Sequence, residues 1–539
     1  MATSNIDTDT FVLIVGGGPV GLSAAIELAW RGVPYALVNE NPETAQHPKC
    51  NNTNARSMEH FRRLGIAGEL RSEGLPPGLP RASAYVTRFC GHEFGRQPRP
   101  YSDWPTPELP NTIPQMVLER TLKRCAERAG DAQIHFGWRM TAFEPRDDGI
   151  TARIENVTTG ERKDIRARFL LGTDGASSPV RKALGFGMVG EDGTTPRAFM
   201  GGTMLSTFIR APTLMAASGR PPTHMTWIIN PQMRAMMYSQ DGRELWVVHY
   251  QVPPDADWRS IDVRAAIRAM LGADVPFDII SGGPWTGGLA LVAEHYRSGP
   301  AFIAGDAAHL FTPLGGLGMN TGIGDVMNLA WKIAAVHRGW AGPRLLDTYE
   351  SERRPFGVRN AQLGVRCTRV MDGWRVPADF EAEGPVAQAA REKFGARVMA
   401  EDRPQYLTVG LQLGERYEGS PIVWSDDGPA PPDTWDSYTP LDRPGARAPH
   451  YWLRKGHALF DDFGRGFTLI DYGAGAQSAD KFARAAAARG VPLKTIRPVP
   501  PDQPLYRSKL VLVRPDQHIA WHGETGDDAE AVIDLVRGA

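Results

Sequence analysis

Cysteine is scarce in this chain. Its 539 residues hold four, Cys50, Cys90, Cys125 and Cys367, and no two form a CxxC pair. That excludes a disulfide framework and a cysteine-based zinc site, and it suits a reducing, cytoplasmic compartment. Net charge is nearly absent too, with 60 Lys+Arg against 61 Asp+Glu. A chain so balanced has no global electrostatic footprint for nucleic acid or an anionic membrane. No apolar run reaches membrane-spanning length. The most apolar stretch, residues 11–26, follows Asp7 and Asp9, contains Gly16, Gly17, Gly18 and Gly21, and is cut by Glu27. It therefore reads as neither a secretory leader nor a membrane helix. Internal repeats, low-complexity tracts and a His/Asp cluster with metal-ligand spacing are also missing, so no metal is expected.

What is present is ordinary globular material, 42% hydrophobic and 22% charged. At roughly 150 residues per domain the length allows about three to four units. Residues 11–15, Phe-Val-Leu-Ile-Val, suit a strand buried on both faces. A glycine turn follows, then a helix over residues 22–31 that stops at Gly32, then a second strand over 35–38. The turn, Gly16-Gly17-Gly18-Pro19-Val20-Gly21, fits GxGxxG. Gly16 permits the turn, Gly18 lets backbone approach a pyrophosphate, and Gly21 allows close packing of helix on strand. Glu40, with Asn41 beside it, ends the second strand 19 residues after Gly21, where a carboxylate can accept bonds from ribose hydroxyls. These features point to a dinucleotide without separating FAD from NAD.

Farther along lies Ala304-Gly305-Asp306-Ala307-Ala308-His309, continuing through Pro313-Leu314-Gly315-Gly316-Leu317-Gly318-Met319-Asn320. With Asp325, Asn328-Leu329-Ala330-Trp331-Lys332 and the run from Tyr349 to Pro355, it resembles the GD motif of the class A flavoprotein monooxygenases, the aromatic hydroxylases. The resemblance implies that Asp306 binds the ribityl chain of FAD. It also implies that Gly316, Gly318, Met319 and Asn320 bring backbone N–H groups and a helix N-terminus to the flavin, a favourable place for negative charge, with Pro313 as a cofactor residue on the loop beside the reactive flavin edge. Thr173-Asp174-Gly175-Ala176-Ser177-Ser178-Pro179-Val180-Arg181 resembles the family's DG motif, with Asp174 and Arg181 as its cofactor residues; a turn with a helix cap is the structural alternative. Gln115 resembles a flavin-contacting glutamine at a helix start. His47-Pro48-Lys49 resembles the family's His-Pro-Arg, with Lys49 in place of a phosphate-gripping arginine. Two residues on, the phenol hydroxylase branch often has an acidic or histidine base. Here stands Asn51, whose amide cannot serve as a base near neutral pH.

From about Arg197 to Val252 the pattern becomes alternating and aromatic-rich, with Asp241-Gly242 as a hairpin turn. By resemblance this β-rich region closes over the flavin. Its substrate candidates are Trp227, Trp246 and Tyr250, with Leu314 and Gly315 from the glycine-rich turn and Arg234 as a charged option. Pro313, Tyr238, Asn51 and His249 are the catalytic candidates. His249 is the favoured base, because its ordinary pKa is about 6.5. On one strand Val247 and His249 share a face while Trp246 and Tyr250 share the other.

The expected fold is α/β: a Rossmann-like FAD-binding domain of the GR2 type, an inserted β-sheet substrate domain and a C-terminal thioredoxin-like domain. The first part of the FAD domain spans 1–190, with some substrate-domain strands near 80–115. The substrate sheet spans 191–285 and the second FAD part with long helices 286–400. A linker covers 401–440 and the thioredoxin-like unit 441–539. That unit has no dithiol; its run Leu512-Val513-Arg514-Pro515-Asp516-Gln517-His518-Ile519-Ala520-Trp521 resembles the C-terminal domain of the phenol hydroxylase branch, which implies packing or a homodimer contact, with a regulatory or partner-docking module as the alternative. The resemblance implies hydroxylation of a small aromatic substrate with NAD(P)H and O2 through a flavin C4a-hydroperoxide. A relative acting on a polycyclic or polyketide substrate, by hydroxylation or Baeyer–Villiger insertion, is the alternative.

Overall fold

The computed structural model describes residues 6, 8–49, 51–99, 101, 103–129, 132–190, 203–252, 257–286, 288–425, 428–501 and 505–539. Cys50 and the expected start of the β-rich region at Arg197 lie outside them.

The first sheet is parallel at its centre. Strands run in the order Ala301–Ile303, Arg162–Gly172, Asp9–Val15, Tyr35–Asn39 and Gln133–Phe136, all parallel. Val12, Leu13 and Ile14 are fully buried there, as an unbroken apolar run demands. The N-terminal half of Arg162–Gly172 also pairs antiparallel with Gly149–Asn156, which pairs with Trp138–Arg146. Helix Pro19–Arg31 packs on the sheet and ends at Gly32, φ +68°, the left-handed stop glycine permits. It begins three residues earlier than the apolar spacing suggests, because proline is favourable in a first turn. The same sheet receives strands from both ends of the first 303 residues, so distant segments make one layer.

The second sheet has seven strands, in the order Asp278–Thr286, Thr203–Arg210, Leu245–Gln251, Arg234–Ser239, Met225–Ile229, Ala82–Val86 and Glu93–Pro98. Arg234–Ser239 and Leu245–Gln251 form a hairpin whose loop is held by Asp241, the Oδ1 of which accepts from the N–H groups of Arg243, Glu244 and Leu245. One face of this sheet packs on Ile267, Met270, Leu271 and Phe277, with Trp246, Val248 and Tyr250 turned into that core. The other face looks toward the first sheet.

Long helices Gly318–His337 and Thr348–Asp372 join the layers. The last unit is a four-stranded sheet, Leu493–Ile496, Phe467–Asp471, Leu510–Val513 and Ile519–Gly523, with the first pair parallel and the others antiparallel. Helices Ala476–Ala488 and Ala529–Val536 lie on one face. Chain order and strand directions are those of a thioredoxin-like fold. Its core runs without a break into Trp331 and Ala335 of the first long helix. No helix of the described residues is long and apolar enough to cross a membrane.

Candidate active site

Between the two sheets lies a cavity of about 1290 Å³. Small-molecule pockets run to roughly 1,000 Å³, so this one has room for a large ligand and a second molecule. At one end is the glycine turn. A Cβ at Gly16, φ +113°, would stand 2.3 Å from the Thr173 carbonyl oxygen, and one at Gly21 would stand 1.9 Å from the Gly16 carbonyl oxygen. These positions need glycine for packing, and Gly21 does not line the cavity. At Gly18 nothing lies within 4 Å of such a Cβ, so the backbone there is open to a ligand. Helix Pro19–Arg31 begins at Gly18 with no side-chain cap, leaving its first N–H groups for an anion. Asn39, unmarked in the sequence, braces the turn by accepting from the Gly17 N–H at 2.9 Å. Pro19, Val20, Glu40, Asn41, Lys49 and Gln115 also line this part of the cavity. Gln115 donates to Glu119 at 2.6 Å, and Glu119 accepts from the Ala45 N–H at 2.8 Å.

The DG and GD turns meet beside it. Asp174 lines the cavity but commits its carboxylate to Ser178 Oγ at 2.5 Å and the Val180 N–H at 2.9 Å, capping a short helix. Burial raises its pKa against those two bonds. Arg181, expected at the cofactor, does not line the cavity. It donates to the carbonyls of Ala307 at 3.0 Å and Ala176 at 3.1 Å, so it ties one turn to the other. Asp306 does project into the cavity. Its carboxyl is open to that space and enclosed by protein beyond it. Burial raises its pKa, opposed by the charges of His309 and Lys49. The turn is held from behind by Asp325, which accepts from the Gly305 N–H at 3.2 Å. Asp325 also pairs with His309 Nε2 at 2.7 Å and Arg353 Nε at 2.9 Å. Burial works against the Asp325 carboxylate, yet those two partners hold it below the ordinary range.

Pro313, Gly316, Gly318 and Met319 line the cavity where helix Gly318–His337 starts, again with no side-chain cap. Leu314 and Gly315, expected against substrate, do not. Leu314 is buried in the core, and the Cβ direction of Gly315 points at Leu317 and Leu363. Asn320, expected at the cofactor, turns away. Its Oδ1 accepts from the Asn54 N–H at 2.8 Å and Ser57 Oγ at 2.9 Å, and its Nδ2 donates to the carbonyls of Asn52 and Gly316.

The far end is apolar and aromatic. Tyr238, Val247, His249 and Trp285 form its wall, with Asn51 and Gln240 among the lining residues. The His249 ring lies 4.3 Å from that of Trp285 and 5.8 Å from that of Tyr238. Burial, with a smaller contribution from His47, pushes its pKa down to about 3. His249 is therefore a neutral imidazole at physiological pH and a poor base, contrary to the expectation. His47 is clamped between Ser206 Oγ at 2.6 Å and Ser281 Oγ at 2.8 Å. Three substrate candidates are placed elsewhere. Trp246 and Tyr250 occupy the opposite sheet face, because alternate residues of a strand point to opposite sides. Trp227 donates its indole N–H to Tyr406 at 3.1 Å and stacks on Tyr85, away from the cavity. Arg234 is spent on the carbonyls of Met371 and Trp374. Sequence reasoning missed Trp285 because Gly282, Gly283 and Pro284 before it hide the strand. It also missed Phe136, Trp138 and Met140 at the glycine-turn end, which carried no motif.

An open Gly18 backbone, two uncapped helix N-termini and a carboxylate aimed into the space fit a dinucleotide with an extended polyol. The known families agree. The FAD binding domain family matches residues 9–363, and the aromatic-ring hydroxylase C-terminal family matches 442–538. The FAD-dependent monooxygenase apdD of Emericella nidulans is 30% identical, over all of this chain and 92% of its own. Phenol 2-monooxygenase of a Pseudomonas species is 29% identical, over 98% of this chain and 93% of its own. Among solved structures, the rebeccamycin biosynthetic enzyme RebC with reduced flavin superposes with a TM-score of 0.90 at 35% identity, over 99% of this chain and 100% of that one. With a cavity built for FAD and likeness along its whole length, the chain belongs to the FAD-dependent aromatic-ring hydroxylases, which are flavoprotein monooxygenases.

Proposed function

We propose that this enzyme hydroxylates a phenolic or similarly electron-rich aromatic ring. NAD(P)H is oxidised, one oxygen atom of O2 enters the ring in place of hydrogen, and the other leaves as water. The observation that carries the reading is the single cavity running from Gly18 and Asp306 to the wall of Tyr238, Val247 and Trp285. When bound, the flavin supplies hydride acceptance and activation of O2. The chain supplies the rest. Backbone of residues 16–20 and the helix start behind it hold the pyrophosphate, Glu40 the ribose and Asp306 the ribityl chain. Residues 316–319, at a second helix start, offer N–H groups to negative charge on the flavin edge. The apolar wall excludes water and sandwiches a flat ring, while His249 and Asn51 orient a ring hydroxyl by hydrogen bonding. The test is flavin reduction by NAD(P)H, followed with and without a panel of phenols, and product analysis under ¹⁸O-labelled O2. Expected are faster reduction with a bound phenol and one labelled oxygen as a new hydroxyl. Full-rate substrate conversion without O2 would refute the proposal.

Asn51 favours a second reading. With no carboxylate or ionisable base at that position, the site suits a polycyclic or polyketide substrate that needs no deprotonation there. A labelled oxygen found as a ring-inserted ester would select it.

A further inference from the structure

The hairpin turn at residues 514–518 is not part of the cavity, yet it is wired to one wall of it. Arg514 and His518 close the turn through an N–H to carbonyl bond of 2.7 Å. Gln517 within it has φ +67°, the only positive-φ residue besides glycines among those described. This backbone conformation is unfavourable for a side chain, and such strain persists only where surrounding contacts over-determine it. Those contacts are on the page. Arg56 donates to Gln517 Oε1 at 2.7 Å and to the Asp516 carbonyl at 2.5 Å. Asp516 Oδ2 accepts from the Trp331 indole N–H at 3.2 Å, and Arg514 pairs with both oxygens of Glu352 at 2.6 and 2.8 Å. Glu352 in turn takes Lys332 Nζ at 2.7 Å. All of these side chains are buried.

Arg56 is the second residue of helix Ala55–Arg63. The cap of that helix, Asn54, and its first-turn Ser57 both donate to Asn320 Oδ1, and Asn320 Nδ2 donates to the Gly316 carbonyl at 2.8 Å. Gly316 lines the cavity. The C-terminal turn thus grips helix Gly318–His337 along its length, directly at Trp331 and Asn328, through Glu352 at Lys332, and at its N-terminus through Arg56 and Asn320. We propose that the turn at 514–518 is a positioning element for the cofactor loop, and that Gln517 acts on residues 316–320 through Arg56 and Asn320. This rests on the reading that those residues face the flavin, and it gives the C-terminal domain a task that needs neither a dithiol nor a second copy of the chain.

Gln517→Gly separates the contact from the fold. It removes the acceptor while supplying the residue that tolerates φ +67° best. Gln517→Glu keeps an acceptor of the same reach beside Arg56. Amide hydrogen exchange in the FAD-free protein reads the coupling without reference to activity. Loss of one hydrogen bond to a charged group is expected to speed exchange about tenfold at residues 54–58 and at 316–320 in the glycine variant. In FAD titrations the dissociation constant should rise about two- to thirtyfold, the range for residues that act through others. The glutamate variant should restore both. Faster exchange confined to residues 54–58, or none, would overturn the proposal, as would equal behaviour of the two variants. Faster exchange at 316–320 with an unchanged FAD constant would overturn instead the reading that this loop faces the flavin.

Discussion

His249 decides what kind of acid–base chemistry this cavity can perform. Its fall from 6.5 to about 3 corresponds to about 5 kcal/mol between the two protonation states, at roughly 1.36 kcal/mol per pH unit. The cause is burial first: the residue is 3% exposed, its ring tilted against Trp285 and edge-on to Tyr238, and His47 adds a smaller repulsion. At pH 5 an ordinary imidazole is about 97% protonated, whereas this one is about 1% protonated. The unfolded chain takes up this proton as pH falls through about 6.5, and the folded chain does so only near 3. Stability from His249 is therefore complete above 6.5 and lost on acidification, by about 2–3 kcal/mol between pH 7 and 4.5. The assay is a ¹³C-histidine NMR titration of the thirteen imidazoles, with His249→Phe identifying the resonance. It should stay at its neutral position from pH 8 to 5. Kinetics provide the second arm. A hydrogen-bonding His249 predicts that His249→Gln keeps kcat/KM within about threefold while His249→Phe loses about tenfold. A general base predicts that both lose 10²–10⁴-fold, roughly equally. A titration midpoint above about 5, or equal losses in the two variants, would refute the assignment.

Asp306→Ala should weaken FAD binding about 10- to 150-fold in titrations of the FAD-free protein, the worth of a hydrogen bond to a charged group; tight retention would remove Asp306 from the site. Gly18→Ala meets nothing within 4 Å, so it should melt like the unmodified protein yet lose FAD affinity by fluorescence titration. Gly21→Ala, with a Cβ 1.9 Å from the Gly16 carbonyl oxygen, should fail in the melting assay itself. Asp325→Ala strips Arg353 of a buried partner and should cost about 3–5 kcal/mol in denaturant unfolding. It should also release FAD, because the Gly305 turn loses its anchor; unchanged unfolding would contradict the buried-cluster account.

Much of this protein was legible in the chain. An apolar run, a glycine turn and an acid at 19 residues determine a nucleotide-binding βαβ unit, since local sterics and the first orphan N–H groups of a helix act within a few residues. The GD stretch marks a flavin loop for the same reason: its glycines and the helix behind it are contiguous in sequence. Which face of a strand looks inward was not legible. Trp246 and His249 are three residues apart on one strand, and only the helix carrying Ile267 and Met270 decides that Trp246 is covered and His249 faces the cavity. Arg181, Asn320 and Asp325 carry motif letters, but each also has a partner far along the chain, Ala307 at 126 residues, Asn52 at 268 and Arg353 at 28, so whether they touch the ligand or brace the loops that do depends on packing. The base strength of His249 is of the same kind. The residue type sets an ordinary imidazole near 6.5, and only desolvation by neighbours drawn from distant strands moves it to about 3.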